Sequence, residues 1–242
     1  MKLKPTIKPF GEKALLLEWE EVISEKMHHH IMGVIDLIWH ALGEEVLEIV
    51  PAFHSLTVFI KPHTDVSTFT NKIKKVIDSK REKSPSKKIL ITIPVCYEAP
   101  FSMDIEELAH KKNISVSEVI RLHTEPIYFV HFLGFFPGFP YLGGLSERLY
   151  FPRKIEPRTF ISKGSVGIGG NQTGIYTTNS PGGWNIIGKS PLTFFDSTKN
   201  SPALLRAGSY IKFEKIGQEQ FREIESQIHL GNYELKKEEL DD

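Results

Sequence analysis

The sequence predicts two domains of different class: an α+β domain of order ββαββα in two layers over residues 1–85, then a β-rich barrel or sandwich over residues 86–218. A C-terminal helix and acidic tail, residues 219–242, completes the chain. Three observations carry this. Helical periodicity alternates with short β-branched runs in the first 80 residues. A basic, polar tract at 71–88 has the composition of a solvated helix face running into a linker. Beyond Tyr128, short apolar runs are punctuated by Gly, Pro and Asn about every ten residues, and 12 of the 18 glycines fall between Gly134 and Gly188.

Residues 3–10 and 14–19 read as the first two strands. Ser24 is an N-cap, and Met27, Ile31, Val34, Ile35, Ile38 and Leu42 recur on one helical face that Gly43 ends. Residues 46–50 and 55–60 are the next strands, with Pro51 turning between them. Val66, Phe69, Ile73, Val76 and Ile77 mark a second amphipathic helix. Residues 89–95 form a strand, two short helices follow, and the second opens on a capping box, Ser115 and Glu118. Residues 210–216 supply a closing strand. Phe221, Ile224 and Ile228 face inward on a terminal helix, beyond which an acidic tail is expected to fray.

Thirty basic and thirty acidic side chains cancel in 242 residues. That balance argues against nucleic acid and against an anionic membrane as partners, both of which need a cationic excess. The single cysteine, Cys96, excludes an internal disulfide framework and a multi-cysteine zinc site, so no metal is expected on this chain. With no signal-like N-terminus and no apolar run of spanning length, the expected location is cytoplasmic.

Residues 183–190, GWNIIGKS, fit the phosphate-loop pattern G-x-x-x-x-G-K-[ST] letter for letter. The pattern needs a following helix, whereas Pro191 and a strand-like 192–195 follow here, so a tight β-turn is the better reading. Residues 163–170, KGSVGIGG, lack the glycine spacing of a dinucleotide fingerprint and read as a strand with a close backbone approach. His28, His29 and His30 are adjacent, so they point about 100° apart and read as a solvated helix side rather than a metal site. His123 ends a helix, where its residue-level reading is a C-terminal charge or cap partner. The aromatic run 132–145, FLGFFPGFPYLGGL, fits either a buried barrel corner or the floor of a ligand groove. Residues 157–195 hold no Asp or Glu yet include Arg158, Lys163 and Lys189, which suits a carboxylate or phosphoryl ligand.

In order along the chain, PFGEKALLLEW (9–19), VPAFHSLTVFI (50–60), IPVCYEAPFSMDIEELA (93–109), GFFPGFPYLGGL (134–145), FPRKIEPR (151–158), KGSVGIGGNQTGIY (163–176) and SPGGWNIIGKSP (180–191) closely resemble one family. It is the family of 5-oxoprolinase B subunits, also described as the sporulation kinase inhibitor family and, in older naming, as the first subunit of allophanate hydrolase. The resemblance spans about residues 5–217 and implies a cyclophilin-like β-barrel for the second domain. It implies a non-autonomous B subunit that, with the A and C subunits, converts 5-oxo-L-proline to L-glutamate at the expense of ATP. Two alternatives come with it: a protein inhibitor of a sensor histidine kinase, and a carboxyltransferase-type subunit.

With that resemblance, Arg153 and Arg158 are expected to meet anionic groups, and His123 and Tyr128 to orient polar ones, as the catalytic set. The binding wall is expected from Gly134, Phe135, Pro137, Gly138, Phe139, Tyr141, Gln172, Tyr176, Pro181, Gly182, Gly183 and Trp184. ATP is the expected cosubstrate of the complex.

Overall fold

The computed structural model describes residues 4–78, 88–134 and 136–240; Phe135 and residues 79–87 of the basic tract lie outside the described residues. The chain divides into two compact units, residues 1–86 and 87–242.

In the first unit the order is β1 (Thr6–Pro9), β2 (Ala14–Glu18), α1 (Glu25–Leu42), β3 (Val46–Pro51), β4 (Ser55–Ile60) and α2 (Val66–Asp78). The four strands form one antiparallel sheet, β1-β2-β4-β3. Ser24 Oγ accepts the Met27 amide at 3.1 Å and starts α1. Alternate residues Leu56, Val58 and Ile60 of β4, with Leu15 and Leu17 of β2, meet the apolar stripes of both helices in one core. The three histidines of α1 do not form the solvated side expected of them. His28 is buried, and the ring of His30 sits edge-on to Trp19 with centroids 5.6 Å apart; only His29 is exposed. Among the described residues no three His, Cys, Asp or Glu side chains converge as a metal site would require.

The second unit runs β5 (Lys88–Cys96), α3 (Ile105–Lys112), α4 (Val116–Thr124), β6 (Tyr128–Leu133), β7 (Pro140–Gly143), a 3-10 turn (Glu147–Leu149), β8 (Arg158–Ile161), β9 (Ser165–Gly169), β10 (Gln172–Ile175), β11 (Ser180–Gly182), β12 (Asn185–Lys189), β13 (Tyr210–Ile216), α5 (Gln218–His229) and β14 (Lys237–Leu240). Strands β12-β9-β10-β7-β6-β13-β5 follow one another, and Lys189 of β12 pairs with Cys96 of β5, closing a seven-stranded barrel. Strand β13 runs parallel to β5, and β8 and β11 form a separate ribbon. The barrel interior and its covering helices share one apolar core, in which Phe221 of α5 stacks on Phe101 at 4.5 Å.

Three local expectations change. Residues 185–189 of the phosphate-loop look-alike form barrel strand β12 rather than a turn, because Asn185, Ile186 and Ile187 are all buried. Residues 192–195 form a loop whose one ladder contact is a bridge from Phe195 to Ala203. The tail does not simply fray: β14 adds to β5, pairing Lys237 with Ile91 and Leu240 with Lys88. Among the described residues no helix is long and apolar enough to cross a membrane.

Candidate functional site

Strand alternation gives the barrel wall two faces. Val166, Ile168, Ile175, Ile187 and Leu142 point into the interior core. Phe139, Ile161, Tyr176, Trp184 and Ile186 form a second, outer cluster, against which Phe136 and Tyr141 pack. Glycines on the outward positions make room for the rings. A Cβ at Gly169 would lie 2.8 Å from the Trp184 indole, and one at Gly174 would lie 2.9 Å from Phe139 and 3.0 Å from Trp184. Phe139 is the hub, edge-on to Tyr141 at 5.4 Å, Trp184 at 5.6 Å and Tyr176 at 5.9 Å. The aromatic run is thus a buried corner at Phe139.

A cation caps this aromatic cluster. Arg153 is exposed, and its guanidinium lies over the Trp184 ring at 5.4 Å. The Lys154 amide donates to the Gly183 carbonyl at 2.7 Å, which ties the Arg153 segment to the Gly182–Trp184 turn. Beside it opens a cleft of about 570 Å³ bordered by Glu107, Lys111, Arg153, Lys154 and Asn185. Burial raises the Tyr176 phenol, while the Trp184 amide at its hydroxyl and the Arg153 and Arg158 charges pull the other way.

Arg158 stands in a different position from the one expected. Its Nη1 and Nη2 donate to the two carboxylate oxygens of Asp104 at 2.8 and 2.7 Å. Asp104, only 2 % exposed, also takes Lys154 Nζ at 2.9 Å and the Ile186 amide at 2.6 Å. Lys154 reaches on to Glu107 at 3.1 Å. Burial works to raise the Asp104 carboxyl, but its bonds from Arg158, Lys154 and the Ile186 amide outweigh that and hold it below the carboxylate range. With its fork occupied by Asp104, Arg158 is a structural cation that braces the wall. The acid-free stretch therefore borrows its counter-ion from 54 residues upstream.

His123 and Tyr128 are not in this site. Both are fully buried inside the barrel. Thr173 Oγ1 donates to the Gly167 carbonyl at 3.1 Å and lies 2.9 Å from His123 Nε2, so its one proton is used and Nε2–H must donate to it. Nδ1 then accepts from the Tyr97 hydroxyl at 2.8 Å. Tyr128 donates its hydroxyl to the His123 carbonyl at 2.8 Å, and His123 stacks on Phe213 at 4.4 Å. Burial lowers the imidazole to about 3. A neutral ring with both nitrogens bonded inside the protein has no edge left for substrate, so the catalytic expectation for His123 and Tyr128 is corrected to a core role.

Of the expected wall, Phe139, Tyr141, Tyr176, Gly182, Gly183 and Trp184 come together with Arg153. Gly182 passes under Tyr176, where a Cβ would collide with the ring hydroxyl. Gly134 lies against Tyr141, and its amide donates to the Phe139 carbonyl at 3.0 Å. Gly138 has φ +75°, and the exposed Pro137 offers its carbonyl to the Thr177 hydroxyl at 2.8 Å. Gln172 opens β10 opposite Gly169, and Pro181 is exposed on β11. Asp104, Lys154 and Tyr97 escaped sequence reasoning. The available signal for Asp104 was indirect: three cations in a stretch without acids require a carboxylate from elsewhere if one of them is to be buried.

Residues 5–205 match the family model described as carboxyltransferase domain, subdomain C and D. The chain is similar to the 5-oxoprolinase B subunit of Bacillus subtilis, 37 % identical over 91 % of this chain and 97 % of that one. It is also similar to the 5-oxoprolinase B subunit of Haemophilus influenzae, 39 % identical over 70 % of this chain and 79 % of that one. Its backbone follows a region of the Kluyveromyces lactis urea amidolyase crystal structure with a TM-score of 0.83 at 19 % identity, over 99 % of this chain and 16 % of that one, a likeness of fold. The chain belongs to the carboxyltransferase subdomain C and D family, and within it to the family of 5-oxoprolinase B subunits.

Proposed function

We propose that this member of the 5-oxoprolinase B-subunit family is a non-autonomous component of an ATP-dependent 5-oxoprolinase, working with the A and C subunits to open 5-oxo-L-proline to L-glutamate. The observation that carries the reading is similarity to proteins of that name along 79–97 % of their length. A lactam carbonyl is a poor electrophile. Transfer of the ATP γ-phosphoryl group to its oxygen releases ADP and activates the carbon; water adds there, the C–N bond opens with the ring nitrogen leaving as the amine, and a second water hydrolyses the resulting acyl phosphate to the carboxylate and phosphate. Sealing of His123 supports a share in positioning and charge rather than proton transfer. In this reading Arg153 meets the substrate carboxylate beside the face of Trp184, while Asp104, Lys154 and Arg158 hold the wall in place.

The test is co-expression with candidate A and C subunits and measurement of glutamate released from 5-oxoproline. Release that requires ATP and all three proteins is the expected result. The family model also favours a second reading, a carboxyltransferase-type subunit, which predicts turnover only with a biotin-carrier domain. No turnover, with suppression of a sensor histidine kinase's autophosphorylation, would replace both by an inhibitor.

A further inference from the structure

We infer that the groove between the end of β12 and helix α5 binds the phosphoryl group of a small molecule, apart from the Arg153 and Trp184 site. Of the basic residues in the acid-free stretch, Asp104 neutralises Arg158; Lys163 and Lys189 instead border a cleft of about 540 Å³. The Gly164 carbonyl accepts the Ser190 amide at 2.9 Å, which straps the Lys163 turn across the start of the 190–193 loop. A Cβ at Gly164, where φ is +83°, would lie 3.6 Å from the Lys189 side chain, so the turn that carries Lys163 lies against Lys189. Lys189 Nζ is held 5.5 Å from the centre of the Phe101 ring, and Phe101 stacks on Phe221 of α5.

Helix α5 closes the opposite side. Arg222, Glu225, Ser226 and His229 follow the i, i+3, i+4, i+7 spacing of one helical face, and all four border the cleft. Phe221 and Ile224 point the other way into the core. The Ser226, Ile228 and Gln227 carbonyls at the end of α5, poor neighbours for an anion, are covered by the amides of Leu230, Gly231 and Asn232. Among the described residues, Lys163, Lys189 and Arg222 form no ion pair and Glu225 is the one carboxylate bordering the cleft. Three cations against one anion, with the Thr193 and Ser226 hydroxyls beside them, is a donor set for a compact dianion. The volume leaves room for more than phosphate alone. Letters that mimic a phosphate loop thus contribute through Lys189, at the end of a barrel strand, and not through a loop cradle.

The test uses the full chain alone at low ionic strength, so its outcome is separable from that of the 5-oxoprolinase reading. Titration calorimetry with pyrophosphate, ATP and adenosine is read on the wild type and on Lys189→Gln, Arg222→Gln and Glu225→Gln. Binding of pyrophosphate and ATP, weakened about tenfold by Lys189→Gln or Arg222→Gln, is expected, with adenosine inert. Glu225→Gln, which removes the opposing charge, is expected to tighten both several-fold, a gain that a merely structural role would not produce. ATP binding well above pyrophosphate assigns the groove to nucleotides; equal binding assigns it to the phosphoryl group alone. Arg222 and Glu225 are exposed, so their variants keep the test valid if Lys189→Gln does not fold. Absence of pyrophosphate and ATP binding at millimolar concentration, or binding indifferent to all three substitutions, overturns the inference.

Discussion

Two polar networks lie within the same barrel unit, and they solve the problem of burial in opposite ways. Inside, Tyr97, His123 and Thr173 form a neutral chain in which each hydrogen goes to an internal acceptor. Toward the outer face, Asp104, Arg158 and Lys154 stay charged, because a carboxylate with two cations and an amide loses less by burial than one left alone. Inside, burial alone sets the protonation state; at the outer face, partners do. Only the outer network continues to an exposed cation, Arg153, and to a cleft. A buried histidine beside tyrosines therefore marks the core of this barrel, and the proposed ligand face is marked by charge that its neighbours leave unspent.

Breaking the outer network is the most damaging change. Asp104→Ala strands Arg158 and Lys154 without their shared carboxylate and leaves the Ile186 amide unpaired, so a loss of about 3 kcal/mol is expected in urea unfolding at neutral pH. The Asp104 carboxyl is depressed in the fold, so its contribution is complete above the ordinary value of 3.8 and is lost as pH falls below it. An Asp104→Ala protein as stable as the wild type would show that the pairing adds nothing to the fold.

The inner network fails over a different pH range. His123 is lowered from 6.5 to about 3, so the fold disfavours its charged form. Its contribution is complete above pH 6.5 and falls by about 1.4 kcal/mol per pH unit from there toward 3. His123→Phe removes that slope and, by orphaning the Tyr97 hydroxyl, costs about 1–3 kcal/mol at pH 7. Denaturant midpoints of the two proteins between pH 7 and 4 read this directly; parallel curves would mean that His123 is not sealed.

What the sequence made legible follows from the range of each signal. Strand and helix order in the first unit came from local periodicity, and Met27 to Ile38 and Leu56 to Ile60 lie in the core as their spacing requires. The family motifs led to the outer aromatic cluster, since Phe139, Tyr176 and Trp184 belong to them and pack together. Asp104 pairs with a residue 54 positions away, and no local pattern carries such information. The same limit misplaced His123, whose partners lie 26 and 50 positions away. It also hid β12, where Gly188, whose Cβ would lie 2.8 Å from Val95, reads as a turn residue until the neighbouring strand is in place.

The smallest expected effect on stability belongs to the residue with the largest expected effect on function. Arg153 is exposed and held mainly by the face of Trp184, a contact of about 0.5–1 kcal/mol at such a position. Arg153→Ala should therefore leave the melting temperature nearly unchanged. In the reconstituted complex the same change is expected to raise KM for 5-oxoproline about tenfold, the loss of one charge-assisted hydrogen-bonded contact to a carboxylate. Arg158→Ala should do the reverse, lowering stability while KM holds as long as the protein stays folded, because its charge is already committed to Asp104. If both variants behaved alike, the division between a bracing arginine and a ligand-facing one would be wrong, and the outer network would have to be treated as a single cationic surface.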